Sequence, residues 1–127
     1  MDVRGFKTSA VAAGIKANGI LDLALIYSET PATAAAVFTQ NTFIAPPLVV
    51  SRRHLEETNH RVRALIVNSG NANAATGEAG IRAARECAEA VATAVGCKPN
   101  EVLVSSTGVI GRPFPTDKIR NAVPGLV

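Results

Sequence analysis

The stretch that decides the fold runs from residue 62 to residue 76, V-R-A-L-I-V-N-S-G-N-A-N-A-A-T. Its first six residues form a short apolar run interrupted by one arginine, which predicts a buried strand. The next residues set Gly70 among asparagines and serine, a turn composition. From about residue 77 to residue 95, Ile81, Ala84, Ala88, Val91 and Val95 recur at steps of three and four. Arg82, Arg85, Glu86 and Glu89 fall mostly elsewhere, so this segment reads as an amphipathic helix packed on a sheet. Gly96 stands where a left-handed C-terminal cap belongs, and Pro99 keeps the helix from resuming.

The same order then repeats. E-V-L-V-S-S at 101–106 is a second short strand, and S-T-G-V-I-G at 106–111 is its turn. Pro115-Thr116-Asp117 opens a helix to about residue 123, where Pro124-Gly125 stops it.

Upstream, strands dominate. F-K-T-S-A-V-A-A-G-I-K and I-L-D-L-A-L-I-Y-S flank Asn18-Gly19 and read as two strands joined by a turn, the second ended by Pro31. In that second run Leu21, Leu23, Leu25 and Tyr27 share one face, and Asp22, Ala24, Ile26 and Ser28 the other. The alanine-rich segment 32–40 is assigned to strand on the strength of Val37, Phe38 and Thr39. Residues 48–50 give another short strand, after which Ser51 caps one or two helical turns through R-R-H-L-E-E. His54 and His60, the only imidazoles, read as solvated side chains beside a surface helix. The whole is one α/β (α+β) domain spanning 1–127, of a size that buries roughly two-thirds of its unfolded surface.

Composition excludes several classes of function. With no Trp, one Tyr and four Phe, the chain lacks the aromatic platforms that stack on bases, and its net charge of +3 is scattered. Nucleic acid is not an expected partner. Cys87 and Cys97 have neither CxxC nor zinc spacing and read as free thiols. No run of eighteen apolar residues occurs, no secretory h-region opens the chain, and a cytoplasmic location without membrane contact is expected. Paired carboxylates, H-E-x-x-H, a Walker loop and G-x-G-x-x-G are absent, so no metal or bound cofactor is expected.

Two polar clusters remain as candidate sites. S-S-T-G-V-I-G at 105–111 admits a nucleophile, an oxyanion cradle or a plain turn. A hydroxyl nucleophile needs an adjacent base, and no G-x-S-x-G elbow is present. A strand ending in Thr-Gly exposes a hydroxyl and backbone N–H groups at one point, which is what a developing oxyanion requires. Taken alone, the motif is most simply a turn. N-S-G-N-A-N at 68–73 either binds a ligand next to a helix start or supplies ordinary turn and cap residues; its spacing does not decide.

Taken together, the blocks G-F-K-T-S-A-V-A-A-G-I-K, L-D-L-A-L-I-Y-S-E, A-A-A-V-F-T-Q-N, V-N-S-G-N-A-N-A-A-T-G and V-S-S-T-G-V-I-G resemble the N-terminal part of the ornithine acetyltransferase, or glutamate N-acetyltransferase, family of arginine biosynthesis. The resemblance runs from Gly5 to about Val123. It implies a precursor that cuts itself into α and β chains, with the new N-terminal threonine of the β chain as nucleophile and its α-amino group as base. That threonine takes the acetyl group from N-acetylornithine and passes it to glutamate in a ping-pong cycle, with acetyl-CoA an optional co-substrate.

By motif, Thr107 through its hydroxyl and Gly108 through its N–H correspond to the family's oxyanion hole. The implied fold is a layered sandwich, helices flanking stacked mixed sheets, completed by the β chain in an α2β2 or larger assembly. The family's cleavage site lies beyond Val127, so residues 1–127 alone are expected to be inactive. The rival readings are a small-metabolite-binding or structural domain using the 68–73 turn, and a self-processing aminopeptidase-like hydrolase.

Overall fold

In the computed structural model, which describes residues 3–127, the 62–76 stretch does what its pattern predicts. Strand β3 (Arg61–Asn68) buries Val62, Ala64, Ile66 and Asn68 on one face. After the turn comes the long helix α2 (Gly77–Val95), ended by Gly96 in the left-handed conformation at φ +71°. A short 3-10 turn over Pro99–Glu101 delivers the chain to β4 (Val102–Ser106), which pairs with β3 in parallel. Parallel neighbours need such a crossover, and here α2 supplies it. The register sets Ile66 against Val104 and Asn68 against Ser106, so both strands end side by side.

The first half completes the sheet. Strand β1 (Phe6–Val11) pairs antiparallel with β2 (Leu23–Thr33), and β2 pairs antiparallel with β3, giving the order β1-β2-β3-β4. Asn18 and Gly19 both take positive φ, as a hairpin turn asks, but they sit inside the longer connection 12–22. Pro31 does not end β2. The register breaks between Tyr27 and Ala32, and this bulge accommodates a residue with no N–H to donate. Arg63 braces it through Nε to the Ser28 carbonyl at 2.9 Å and through its other end to the Tyr27 hydroxyl.

Helices α1 (Pro46–Glu57), α2 and α3 (Thr116–Ala122) cover one face of this mixed sheet. Leu23, Leu25, Ile66 and Val104 of the sheet meet Val50, Ala88, Val91 and Ile119 of the helices in one apolar core. Four of the seven buried residues of α2 are alanine, and small side chains let a helix lie close to a sheet. The described residues hold this one sheet, and its other face carries Ile26, Leu65, Val67 and Leu103 without a helix over them.

Four further readings are corrected. Residues 34–45 form no strand: Val37 and Phe43 are exposed, and Asn41 and Thr39 bend the chain through side-chain-to-backbone bonds. Residues 48–50 belong to α1, which begins at Pro46 because proline suits the first helical turn and holds Ala45 extended before it. Ser51 is therefore no cap. It lies mid-helix and buried, its Oγ donating to the Val104 carbonyl and accepting the Val104 N–H, both at 3.0 Å. One turn on, His54 is not solvated but 7% exposed, with Nδ1 donating to the Val102 carbonyl at 2.8 Å. These two side chains stand where a fifth strand would pair with β4. His60 is exposed, as expected.

Candidate functional site

The two polar turns predicted separately from the sequence meet at the carboxyl ends of β3 and β4, the one parallel pair of this mixed sheet, and the carboxyl ends of parallel strands are where ligands gather in α/β folds. Thr107 N–H donates to the Asn68 carbonyl at 3.0 Å, Val109 N–H to Gly70 at 3.3 Å, and Ala72 N–H to Val109 at 2.9 Å. The parallel pairing of the strands thus continues as an isolated bridge between Asn71 and Val109.

The asparagines hold this turn rather than presenting their amides outward. Asn68 donates to the Asn71 carbonyl at 2.8 Å, Asn71 to the Pro113 carbonyl at 3.0 Å, and Asn73 to the Gly80 carbonyl at 2.9 Å. Ser106 joins them, accepting the Asn73 N–H at 2.8 Å and donating to the Asn71 carbonyl at 3.1 Å. All three asparagines are buried, and the one buried side-chain atom without a partner among the described residues is Asn71 Oδ1. The ambiguity of N-S-G-N-A-N is resolved by these bonds: the amides build the turn. They do not cap α2, which starts after Thr76 with no side-chain cap.

What the scaffold leaves available is at 107 and 108. Thr107 and Gly108 are exposed, and neither the Thr107 hydroxyl nor the Gly108 N–H makes a hydrogen bond among the described residues. Gly108 takes φ +133°, where side chains are rarely found, and a Cβ placed on it would lie 2.4 Å from the Gly70 carbonyl carbon and 2.5 Å from the Asn71 nitrogen. The two turns therefore touch backbone to backbone. Gly70, at φ +104°, is packed from its other side by Lys16 and Ile15, whose side-chain carbons would lie 2.8 and 3.1 Å from an added Cβ.

The sequence reading missed Asp22. It precedes β2, is 3% exposed, and its carboxylate accepts the N–H groups of Ala13, Ile15 and Lys16, each at 2.7 Å. Burial pushes this carboxyl up, but the three backbone donors and the nearby Lys16 charge outweigh it and hold the group below its ordinary value. Its own carbonyl accepts the Ser69 N–H at 2.8 Å. An acidic residue between leucines after a glycine-bounded loop was the available signal; strand alternation assigned it to a polar face instead.

Elsewhere, Cys87 and Cys97 are free thiols, and burial, aided by the Glu86 charge, pushes the Cys87 thiol up to about 12. Among the described residues no three His, Cys, Asp or Glu side chains converge, and no helix is long and apolar enough to cross a membrane.

A mixed α/β domain with paired donor turns at the carboxyl ends of two parallel strands is the class that these observations define. Residues 7–127 match the ArgJ family, and the chain belongs to it. It is 51% identical over 98% of its length to the arginine biosynthesis bifunctional protein ArgJ of Gloeobacter violaceus, and 50% identical over its whole length to that of Geobacter sulfurreducens. It covers only 30% and 32% of those two proteins, so it spans about a third of the relatives it matches.

Two solved structures share the fold. The arginine biosynthesis bifunctional protein of Bacillus halodurans superposes with a TM-score of 0.90 at 37% identity, over 95% of this chain and 62% of that one. The ornithine acetyltransferase of Mycobacterium tuberculosis, complexed with ornithine, gives 0.89 at 46% identity, over 97% and 66%.

Proposed function

We propose that this chain is the oxyanion-binding part of a glutamate N-acetyltransferase, acting with further chain that carries the nucleophile. The observation that carries the reading is the pair of exposed, unbonded donors, the Thr107 hydroxyl and the Gly108 N–H, on adjacent residues packed against a turn that the side chains of Asn68 and Ser106 hold in place. When a threonine on the β chain attacks the acetyl carbonyl of N-acetylornithine, negative charge develops on the carbonyl oxygen, and donors fixed beforehand stabilise it without reorganising. Collapse of the tetrahedral intermediate releases ornithine and leaves an acetyl-threonine. Glutamate then attacks that ester, the same donors serve a second time, and the threonine is freed. Acetyl-CoA is a second acetyl donor in the bifunctional form of the reaction.

Pairing with the rest of the protein is part of the reading. Ile26, Leu65, Val67 and Leu103 line a sheet face without helices, and the exposed Val109 and Ile110 follow the donor pair. An apolar surface of this kind suits burial against another layer. The reaction takes place in the cytoplasm in an α2β2 or larger assembly.

Thr107→Ala in the complete protein tests the role. Loss of one such donor lowers kcat by about a hundredfold, roughly 3 kcal/mol, with the fold intact. Activity close to the parent's, with self-cleavage and stability unchanged, refutes an oxyanion role for Thr107.

A further inference from the structure

Asp22 lies outside the donor pair, yet its polar groups tie the loop 12–22 together and link it to β1 and, through its carbonyl, to the site turn. Its carboxylate gathers the N–H groups of Ala13, Ile15 and Lys16, its N–H donates to the Val11 carbonyl at 3.1 Å, and its carbonyl takes the Ser69 N–H. The loop held in this way presses Ile15 and Lys16 against Gly70. Gly70 in turn touches Gly108 and accepts the Val109 N–H. On the outer side, Lys118 Nζ donates to the Gly14 carbonyl at 2.6 Å, so α3 ties down the same loop.

We infer that Asp22 is a positioning residue for acetyl transfer: by clamping residues 13–16 over Gly70 it fixes the backbone contact between Gly70 and Gly108, and so the direction of the Gly108 N–H. Three backbone donors converging on one buried carboxylate define a loop geometry that a neutral amide cannot keep, because an amide offers one acceptor oxygen and sets an NH2 group against the remaining N–H groups. Oxyanion donors must meet the charged oxygen within a few tenths of an ångström, so movement of Gly70 is felt as rate rather than as substrate affinity. The inference rests on the oxyanion reading given above.

The test is Asp22→Asn in the complete protein, with steady-state acetyl transfer from N-acetylornithine to glutamate and amide hydrogen exchange on the same samples. The expected result is a fall in kcat of about tenfold or more with KM changed less than about twofold. Exchange should quicken at 13–16 and 69–71 but not in α2. A kcat within about twofold of the parent overturns the inference, and so does a loss of activity accompanied by faster exchange throughout α2, which is general destabilisation.

Should Asp22→Asn fail to fold, the exposed Lys118→Met releases the loop from the other side. A fall in kcat of about threefold at constant KM supports the inference, and an unchanged kcat overturns it. Thr107→Ala in the same assay separates the two ideas. If Thr107→Ala is active, the oxyanion reading fails; if it is crippled while the Asp22 and Lys118 variants are not, only the positioning role fails.

Discussion

Gly108→Ala is the sharpest perturbation that the site offers. The added methyl would lie 2.4 Å from the carbonyl carbon of Gly70 and 2.5 Å from the nitrogen of Asn71, where ordinary contact begins at 3.4 Å. Relief needs about 1 Å of separation between the two turns, and the obstructing atoms are main chain that no rotamer change can move. The backbone angle of +133° adds strain of about 1–3 kcal/mol for a residue with a side chain. Parting the turns also weakens the bonds Thr107 to Asn68 and Val109 to Gly70, each worth about 1 kcal/mol.

The expected cost is about 3–5 kcal/mol in stability. On the oxyanion reading proposed above, whatever folded protein remains loses about a hundredfold in acetyl-transfer rate from misplaced donors. Gly111→Ala is the internal control, because Gly111 also has positive φ, +91°, but nothing lies within 4 Å of its added methyl. It should show the conformational strain alone. Denaturant unfolding and acetyl-transfer rates of the two variants in the complete protein decide the matter: if Gly108→Ala behaves like Gly111→Ala, the backbone contact does not govern the site.

The other expectations are simpler. Ser51→Ala strips both partners from Val104 on the outer side of β4 and should destabilise the complete protein by about 1–3 kcal/mol in urea unfolding; a change within error would show that water replaces the hydroxyl without loss. Asp22 has a lowered native value, so its stabilising contribution is complete above the ordinary carboxylate value near pH 4, about where unfolded Asp titrates, and vanishes as pH falls through the native value. The stability gap between parent and Asp22→Asn should therefore narrow on acidification, and a gap constant from neutral to strongly acidic pH contradicts the sign. Cys87, buried and held protonated, should resist iodoacetamide in the native protein while half-buried Cys97 reacts slowly; equal labelling of the two would show that α2 opens more freely than its packing suggests.

Periodicity made the second half of the chain legible because its signals are local. The α2 stripe lies within the helix it defines and Gly96 and Pro99 lie just after it, and the structure follows them closely. The first half depends on distant partners. Leu48, Val49 and Val50 have strand propensity, but Pro46 and Pro47 start a helix that Val50 and Leu55 anchor in the core. His54 looked solvated because its acceptor, Val102, lies 48 residues away. Pro31 looked like a stop because nothing near it announces the Arg63 brace on the next strand.

At the site, S-T-G was visible as a motif, whereas its geometry was not, since Gly108 is shaped by Gly70 and Gly70 by the loop that Asp22 gathers. Composition cannot encode such contacts across the chain. The family resemblance could point to Thr107 and Gly108 only because it compares whole sequences.

Strand β4 ends the sheet on the side away from β1. Its outer edge is met by two side chains of a helix, Ser51 and His54, rather than by another strand. An incoming strand, whether from a neighbouring molecule or from a misfolded copy, would first have to evict α1 and its anchors Val50 and Leu55 from the core. On that side the sheet is protected from lengthening, so crowding during synthesis threatens it less by edge-to-edge growth than by contact through the apolar face it leaves open.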